Sequence, residues 1–328
     1  LFQRALNYLS YNINSILAGF FVAKPDLIIA MNPPITTVFS AWLISLFQRS
    51  PVILVIQDVW PECLIRVGQL TNPVLIKFSN WLEKIQYRLA KKIVVLSEGM
   101  KKNLTQKGVQ GRKLVIIPNW ADPTEVIPLE KFNPFSNAHN LEDYFVVLFS
   151  GNHGYVAALE HVVEAARLLK DKKDILFLMA GEGSVKAELV EKSRELGLKN
   201  VLFLPTQAKQ AWLEMMAASD IALVTLRKDL GSLNVPSKMY TLMSAAVPVI
   251  CSVPKDSEVA LLLEVAECGY WTDPEDPESL AEMILKARDN RDHLIGLGQN
   301  GRSYLTEYLN QKVQTEKYIQ IIREVVVK

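Results

Sequence analysis

Cysteine is scarce in this chain, and its placement argues against two common architectures. The three thiols, Cys63, Cys251 and Cys268, are odd in number, widely separated and without CxxC spacing. Neither a disulfide framework nor a cysteine zinc site is expected, and a reducing, cytoplasmic setting fits best. Histidine is equally sparse. His139, His153, His161 and His293 form no HExxH or other ligand pair, so no bound metal or cofactor is expected and any metal would enter with a substrate. An excess of one charge is missing too: 36 basic residues face 35 acidic ones, for a formal net charge of +1. Without an overall basic field, nucleic acid is not an expected partner. No apolar run reaches the length of a membrane span of about 18 residues. The opening, interrupted by Arg4 and several Asn and Tyr residues, is no signal peptide. It starts at Leu1 rather than methionine and already reads as the middle of a helix over 1–23, so a further N-terminal piece is expected ahead of it.

What is present is the composition of a globular protein: 328 residues, 49% hydrophobic and 22% charged, enough for two α/β domains of about 150 residues each. Short β-branched runs at 27–31, 52–56, 93–96 and 114–117 alternate with helical stretches at 36–48, 73–90 and 98–107. That alternation predicts a parallel sheet with crossover helices. Pro118, Pro123, Pro128 and Pro134 then break the periodicity. A second alternation follows, with strands at 144–150, 175–179, 201–204, 221–225 and 249–252. Its helices fall at 157–170, 185–196, 209–218, 237–245, 280–288, 292–309 and 312–326. We therefore divide the chain into a first domain (1–122), a linker (123–143), a second domain (144–305) and a closing segment (306–328). The acidic stretch Asp273 to Glu278 contains two prolines and precedes a helix, so it reads as a turn and N-cap rather than a metal motif.

The stretch from Asp220 to Ile250 carries the most chemistry. A strand leads into a polar loop, and Pro236-Ser237-Lys238 opens the next helix, with Thr241 one turn on. Ligands of open α/β sheets bind beyond the carboxyl ends of strands, and a helix start there offers N–H groups to an anion. Ser237 adds a hydroxyl and Lys238 a positive charge, as the seat of a diphosphate requires, although Lys238 also reads as an ordinary solvated lysine. Gly151-Asn152-His153-Gly154 lies between a strand and a helix, where glycine lets backbone approach a ligand or simply makes a tight turn. Gly181-Glu182-Gly183 follows another strand and reads as a wall of the same pocket. Glu258, after Asp256-Ser257, is a candidate carboxylate near the reacting group or else an acid complementing a helix dipole. In the first half, Asp58-Val59-Trp60-Pro61-Glu62 follows a strand. Asp58 suits a base or orienting group for a hydroxyl and Trp60 suits stacking on a sugar, against capping and core filling as the plainer roles. Ser97, before Glu98-Gly99-Met100, reads first as an N-cap.

Taken in order, Phe149 to Gly154, Ala180 to Gly183, Ala218 to Leu223, Pro236-Ser237-Lys238 with Ala245 to Val249, and Asp256-Ser257-Glu258 resemble the family 4 glycosyltransferases. These are retaining enzymes of the GT-B fold, and the bacterial exopolysaccharide and O-antigen branch is the most similar. The resemblance spans nearly the whole chain. It implies two Rossmann-like parallel-sheet domains facing across a cleft, the first of them truncated here, with a nucleotide-sugar donor on the C-terminal one and the last segment packing back toward the first. It also implies a lipid-linked or oligosaccharide acceptor in cell-surface polysaccharide synthesis, with Trp60, Pro61, Glu62 and Ser97 on the acceptor side. Asp58, Lys238 and Glu258 are then the catalytic candidates, and Gly151 to Gly154, Gly181 to Gly183, Pro236, Ser237, Lys238 and Thr241 hold the donor.

Asn119 matches the family's Pro-Asn block at the exit of the first domain. Two departures matter. The basic residue that relatives place shortly after the first glycine loop is replaced by Tyr155, Val156 and Ala157, leaving Lys238 with Arg227 or Lys228 to face the diphosphate. The pair of glutamates spaced by eight residues is absent around Leu233 and Thr241. Two other readings follow from the same residues: a sugar-nucleotide epimerase of the 2-epimerase type, and an inactive truncated protein that only binds nucleotide sugar. Finally, residues 75–102 mix Trp81 and Tyr87 with Lys77, Lys84, Arg88, Lys91, Lys92, Lys101 and Lys102. That pattern suits peripheral contact with the inner face of an anionic plasma membrane, or a plain amphipathic helix on a sheet.

Overall fold

The computed structural model describes residues 2–326, without the side chains of residues 2–5 and Ser232. The chain forms two compact units. The first comprises the residues up to Pro118, the short segment Ser232–Val235 and the residues from Lys312 on. Its elements are α1 (Phe2–Phe21), β1 (Ile28–Asn32), α2 (Thr37–Gln48), β2 (Val52–Ile56), α3 (Glu62–Arg66), α4 (Pro73–Leu89), β3 (Lys92–Val95), α5 (Glu98–Gln106) and β4 (Leu114–Ile116). The four strands lie parallel in the order β1-β2-β3-β4, with Ile28 opposite Val52, Ile53 opposite Lys92 and Ile93 opposite Leu114. β2 is buried along its whole length, which its unbroken Val-Ile-Leu-Val-Ile run allows, because an inner parallel strand is covered on both faces.

Local signals set the helix ends. The Asn72 side chain accepts the Val74 and Leu75 amides at 2.9 and 3.2 Å, and Pro73 occupies the first turn, where its missing N–H costs nothing. At the other end of α4, the Lys113 ammonium donates to the Ala90 carbonyl at 2.9 Å and to those of Tyr87 and Arg88 at 3.3 Å, satisfying acceptors the helix leaves open. Beneath α4 lies an ionic network. Lys107 sits between Glu62 at 2.8 Å and Glu83 at 2.6 Å, and the Tyr87 hydroxyl donates to Glu83 at 2.8 Å. Glu62 also accepts from Asn103 at 3.0 Å and from Arg66.

The second unit comprises Asn119–Gly231 and Pro236–Gln311. In chain order it contains α6 (Pro134–Ala138), β5 (Phe145–Ser150), α7 (Glu160–Leu168), β6 (Ile175–Ala180), α8 (Lys186–Glu195), β7 (Val201–Leu204), α9 (Lys209–Ala217), β8 (Ile221–Thr225), α10 (Lys238–Ser244), β9 (Val249–Ser252), α11 (Glu258–Ala266), β10 (Gly269–Thr272), α12 (Pro277–Asp289) and α13 (Arg291–Tyr308). All strands pair in parallel in the order β10-β9-β8-β5-β6-β7. The chain winds outward from β5 to β7 and then resumes at β8 on the other side of β5. The loops leaving β5 and β8 therefore diverge and open a crevice at the carboxyl edge. Phe145, Phe149, Phe177 and Ile250 fill the core between the sheet and α7, α12 and α13.

Several expectations change. Residues 123–143, read as a linker, are built into the second unit. Pro134 begins α6 instead of breaking structure, Asn133 and Ser136 form a reciprocal capping box, and Phe135 and Leu141 are buried. The Arg302 guanidinium holds this stretch through the Val126 and Pro123 carbonyls, both at 3.2 Å. Helix α11 and strand β10 were not anticipated. The nine residues of α11 are almost continuously apolar, a run whose period does not separate helix from strand. Asp276 caps α12 through the Ser279 amide at 3.0 Å, the turn-and-cap role read for the acidic stretch. The last helix, α14 (Gln311–Val326), belongs from Lys312 on to the first unit, where Ile321 and Val325 pack with Ile53, Val55, Val94 and Ile117.

Burial raises the Glu62 carboxyl, but bonds from Lys107, Asn103 and Arg66 outweigh it and hold the group below its ordinary 4.5. A depressed carboxyl adds stability above its unfolded value and loses it as pH falls through the folded one. Lys107→Met, which leaves Glu83 buried without its cation, should cost about 3 kcal/mol at neutral pH in urea unfolding. The deficit should shrink below pH 4.

Candidate functional site

In the second unit the crevice is built from the loops after β5, β6, β7 and β8. Gly151 ends β5 with φ +144°, and a Cβ there would lie 3.2 Å from the Lys238 ammonium. The positive φ favours glycine here, and the lysine lies against its bare backbone. The ammonium also stands 3.5 Å from the centroid of the Phe149 ring, and among the described residues no carboxylate pairs with it. A cation held on an aromatic face without a counter-ion is desolvated but not neutralised. Burial accordingly pushes the Lys238 pKa down to about 7.

The two glycine loops pack directly on one another. The Gly151 amide donates to the Ala180 carbonyl at 3.0 Å, and the His153 amide donates to the Glu182 carbonyl at 2.9 Å. A side chain on Gly181, whose φ is +137°, would collide with the Gly151 carbonyl, and one on Gly183 with the His153 carbonyl and the Asn152 side chain. Backbone packing by itself therefore requires glycine at 181 and 183. His153 is fully buried beside Phe149, with ring centroids 5.5 Å apart, and its ring nitrogens make no well-formed hydrogen bond. Burial, then the charges of Lys186 and Lys238, push it down to about 4, so it is neutral at physiological pH. The ring packs under the loop between Phe149 and Phe203. Asn152 is exposed, and Gly154 leads into a 3-10 turn, Tyr155–Ala157, with α7 starting only at Glu160. The helix start expected at this loop is therefore absent, and an anion there meets loop amides.

Pro236 and Ser237 precede α10 rather than opening it. Ser237 makes no capping bond, and the Met239 and Tyr240 amides already donate to the Pro236 and Ser237 carbonyls at 3.1 and 3.2 Å. Charge at this end comes from the Lys238 side chain. Thr241, half-buried, is one turn further on and shares a helix face with Lys238. Glu258 is the first residue of α11, behind the cap in which Ser257 accepts the Ala260 amide at 3.2 Å. Its negative charge, after burial, contributes to raising the Tyr240 hydroxyl. Arg227, a candidate for the diphosphate, is instead committed to Glu160 at 3.0 Å, Glu275 at 2.9 Å and the Tyr155 carbonyl at 2.6 Å.

A cavity of about 350 Å³ lies at the carboxyl ends of β5, β6 and β7, between the glycine loops on one side and Thr206, Gln207 and Trp212 on the other. The last three escaped the reading of the sequence. The available signal was that Pro205-Thr206-Gln207 leaves β7 at the same edge as the glycine loops.

In the first unit, Asp58 lies beyond the end of β2 and accepts a hydrogen bond from the Asn234 side chain, while the Val59 amide donates to the Leu233 carbonyl at 3.1 Å. Burial raises the Asp58 carboxyl and the Asn234 bond opposes that rise. A carboxylate made more basic suits proton acceptance. Asn234 was not foreseen, because it is remote from Asp58 in sequence. Trp60 is half-buried and lines an apolar cavity of about 680 Å³ with Tyr8, Ile16, Pro34, Phe39 and Leu43, and Pro61 is buried. Two acceptor-side candidates are otherwise engaged: Glu62 by its network, and Ser97, which is buried and accepts the Met100 amide at 3.1 Å. Asn119 begins the second unit at the Pro118 boundary. The cysteines are free and buried, and among the described residues no group of three or more His, Cys, Asp and Glu is placed to hold a metal ion.

Residues 131–304 match the family described as glycosyl transferases group 1, and residues 14–120 match the glycosyl transferase 4-like domain. The first match spans more than half of the chain, and the chain belongs to that family. It is similar to the probable glycosyltransferase WbjE of Pseudomonas aeruginosa, at 29% identity over 276 residues covering 83% of this chain and 68% of WbjE. It is also similar to the putative colanic acid biosynthesis glycosyl transferase WcaI of Escherichia coli K12, at 24% over 274 residues covering 80% and 66%. The chain thus spans about two thirds of the length of each. Among solved structures, Anabaena Alr3699/HepE in complex with UDP matches with a TM-score of 0.76 at 14% identity, over 95% of this chain and 82% of that one. HepE has also been solved with UDP-glucose. Likeness at that identity shows the fold, which is GT-B.

The depressed pKa of Lys238 has a consequence for stability. Its desolvation penalty is complete below pH 7, declines as the folded form sheds its proton, and vanishes near the ordinary 10.5. Lys238→Met should therefore melt at a higher temperature than the parent at pH 7, and calorimetry should find the difference shrinking toward pH 10.

Proposed function

We propose that the protein is a retaining glycosyltransferase that moves a sugar from a nucleotide-diphosphate donor onto a lipid-linked saccharide of a bacterial cell-surface polysaccharide. The observation that carries the reading is the Lys238 ammonium, held on Phe149 and over Gly151 without a carboxylate partner. The names of WbjE and WcaI and the nucleotide complexes of HepE support it.

In this reading the diphosphate lies between Lys238 and the loop at Asn152 and Gly154. The amides of Gly151 and His153 are already engaged, so Asn152 and Gly154 supply the loop donors. The base enters the cavity lined by Thr206, Gln207 and Trp212, and Thr241 meets a ribose hydroxyl. Charge develops on the diphosphate as the bond from the anomeric carbon to the β-phosphate oxygen breaks. A fixed ammonium and loop dipoles in a water-poor site stabilise it without reorganisation. In this reading no carboxylate among the described residues serves as a covalent nucleophile, and Glu258 begins a capped helix. The acceptor oxygen then bonds to the anomeric carbon from the face the diphosphate is leaving, and its proton passes to the departing phosphate oxygen. Asp58 orients the acceptor hydroxyl and Trp60 stacks on the acceptor sugar.

Lys238→Ala should reduce transfer by at least two orders of magnitude while leaving the circular dichroism spectrum unchanged. Nucleotide release measured with donor alone and with donor plus acceptor separates the chemistries. Acceptor-dependent release supports transfer, an isomerised nucleotide sugar without acceptor points to an epimerase, and nucleotide binding without either marks a binding protein. Undiminished turnover in the variant would remove Lys238 from the mechanism.

A further inference from the structure

The segment that follows the first glycine loop is fastened along its length. It forms a single 3-10 turn, and the hydrogen-bond ladder of α7 starts further on. Its carbonyls need other donors. Three consecutive ones are met by two residues that close or follow β8. The Arg227 Nε donates to the Tyr155 carbonyl at 2.6 Å, the Arg227 amide to that of Val156 at 3.1 Å, and the Thr225 hydroxyl to that of Ala157 at 2.7 Å. The next carbonyl, that of Ala158, faces the His161 Nδ1. The Arg227 guanidinium also reaches Glu160, in the first turn of α7, at 3.0 Å and Glu275, in the turn before α12, at 2.9 Å. Two carboxylates more than neutralise one guanidinium, so Arg227 presents no net positive charge to a ligand. It contributes a planar fork that meets three acceptors at once. Upstream, the Gly151 and His153 amides tie the same loop to the Ala180 and Glu182 carbonyls. The amides of Asn152 and Gly154 lie between these two anchorages.

We propose that Arg227, with Thr225, is a positioning residue for the diphosphate: by fastening the carbonyls of residues 155–157 it holds the Asn152 and Gly154 amides in the orientation in which they donate to phosphate oxygens. The inference rests on the reading of that loop as the diphosphate seat. A peptide plane carries the carbonyl of one residue and the amide of the next, so carbonyls fixed at 155–157 fix the planes on which the loop ends. Amides ordered before the ligand arrives donate without a further entropic cost, whereas a slack loop must be ordered at the ligand's expense. Thr225 is buried, which keeps water from competing for the Ala157 carbonyl. Thr206, Gln207 and Trp212, the walls for the base, belong to the connection after β7 and to α9. Loosening the loop therefore acts on the diphosphate and not on the nucleoside.

The test uses whichever of UDP, GDP and ADP raises the melting temperature of the full chain most. That diphosphate is titrated calorimetrically against the parent and three variants, and its nucleoside is titrated beside it by saturation-transfer NMR. Arg227→Gln should weaken diphosphate binding about tenfold, the order of the cost of immobilising one side chain, and leave nucleoside binding unchanged. Arg227→Lys keeps the charge but not the fork, and should lose nearly as much. Thr225→Val removes the hydroxyl with little change of shape and alters no charge. It should shift binding in the same direction, and it carries the test should Arg227→Gln fail to fold. Full rescue by Arg227→Lys, equal losses for nucleoside and diphosphate, or unchanged diphosphate binding in Thr225→Val would overturn the proposal while leaving the donor reading in place. If none of the three diphosphates stabilises the parent, the donor reading falls and this inference falls with it.

Discussion

The second unit holds a half-buried cation, Lys238, that has not been given an anion among the described residues. Lys238 rests on the Phe149 ring and against the bare backbone of Gly151, and each contact requires something of its surroundings. The ring belongs to Phe149, one residue before the end of β5. The positive φ that follows favours glycine at 151, and the turn packs on the next loop so closely that side chains are excluded at 181 and 183. His153 stays neutral because burial, and after it the charges of Lys186 and Lys238, disfavour its protonated form.

The first unit handles charge in the opposite way. Glu62, Glu83 and Lys107 satisfy one another beneath α4, with Tyr87, Asn103 and Arg66 filling the remaining bonding positions. This network holds α3, α4 and α5 together through polar contacts, and its cation shields two acids that would otherwise offset the basic outer surface. The outer residues of α4 are correspondingly one-sided in composition. One unit conceals its acids and leaves cations outside, whereas the other conceals a cation and leaves it unpaired.

The strands were legible because a parallel strand buried on both faces needs an unbroken apolar run, and Val52 to Ile56 or Phe145 to Ser150 can be little else. Most crossover helices were legible from their period. Helix α11 was hidden by being apolar nearly all round, β10 by an opening glycine and the lack of an aliphatic run, and α6 by prolines that start a helix as readily as they end one. At the site, glycines at strand ends and a lysine at a helix start could be picked out as types in a pattern. Their partners could not. Arg227 looked as available as Lys238 until Glu160 and Glu275, remote in sequence, proved to hold it. Glu62 looked available to an acceptor until an ion network claimed it, whereas Ser97 makes the cap that its place before a helix suggested.

By itself, then, the order of residues determined the alternation of strands and helices, the parallel sheets, and a short list of candidate site residues. These depend on periodicity and on the chemistry of single side chains, which are local properties. The tertiary structure decided which of those groups were left unsatisfied. A charge is neutralised or stranded by what approaches it from elsewhere in the chain, as Asn234 approaches Asp58 and Phe149 lies under Lys238. Coulomb and desolvation energies depend on distance in space, to which separation along the sequence is only a weak guide.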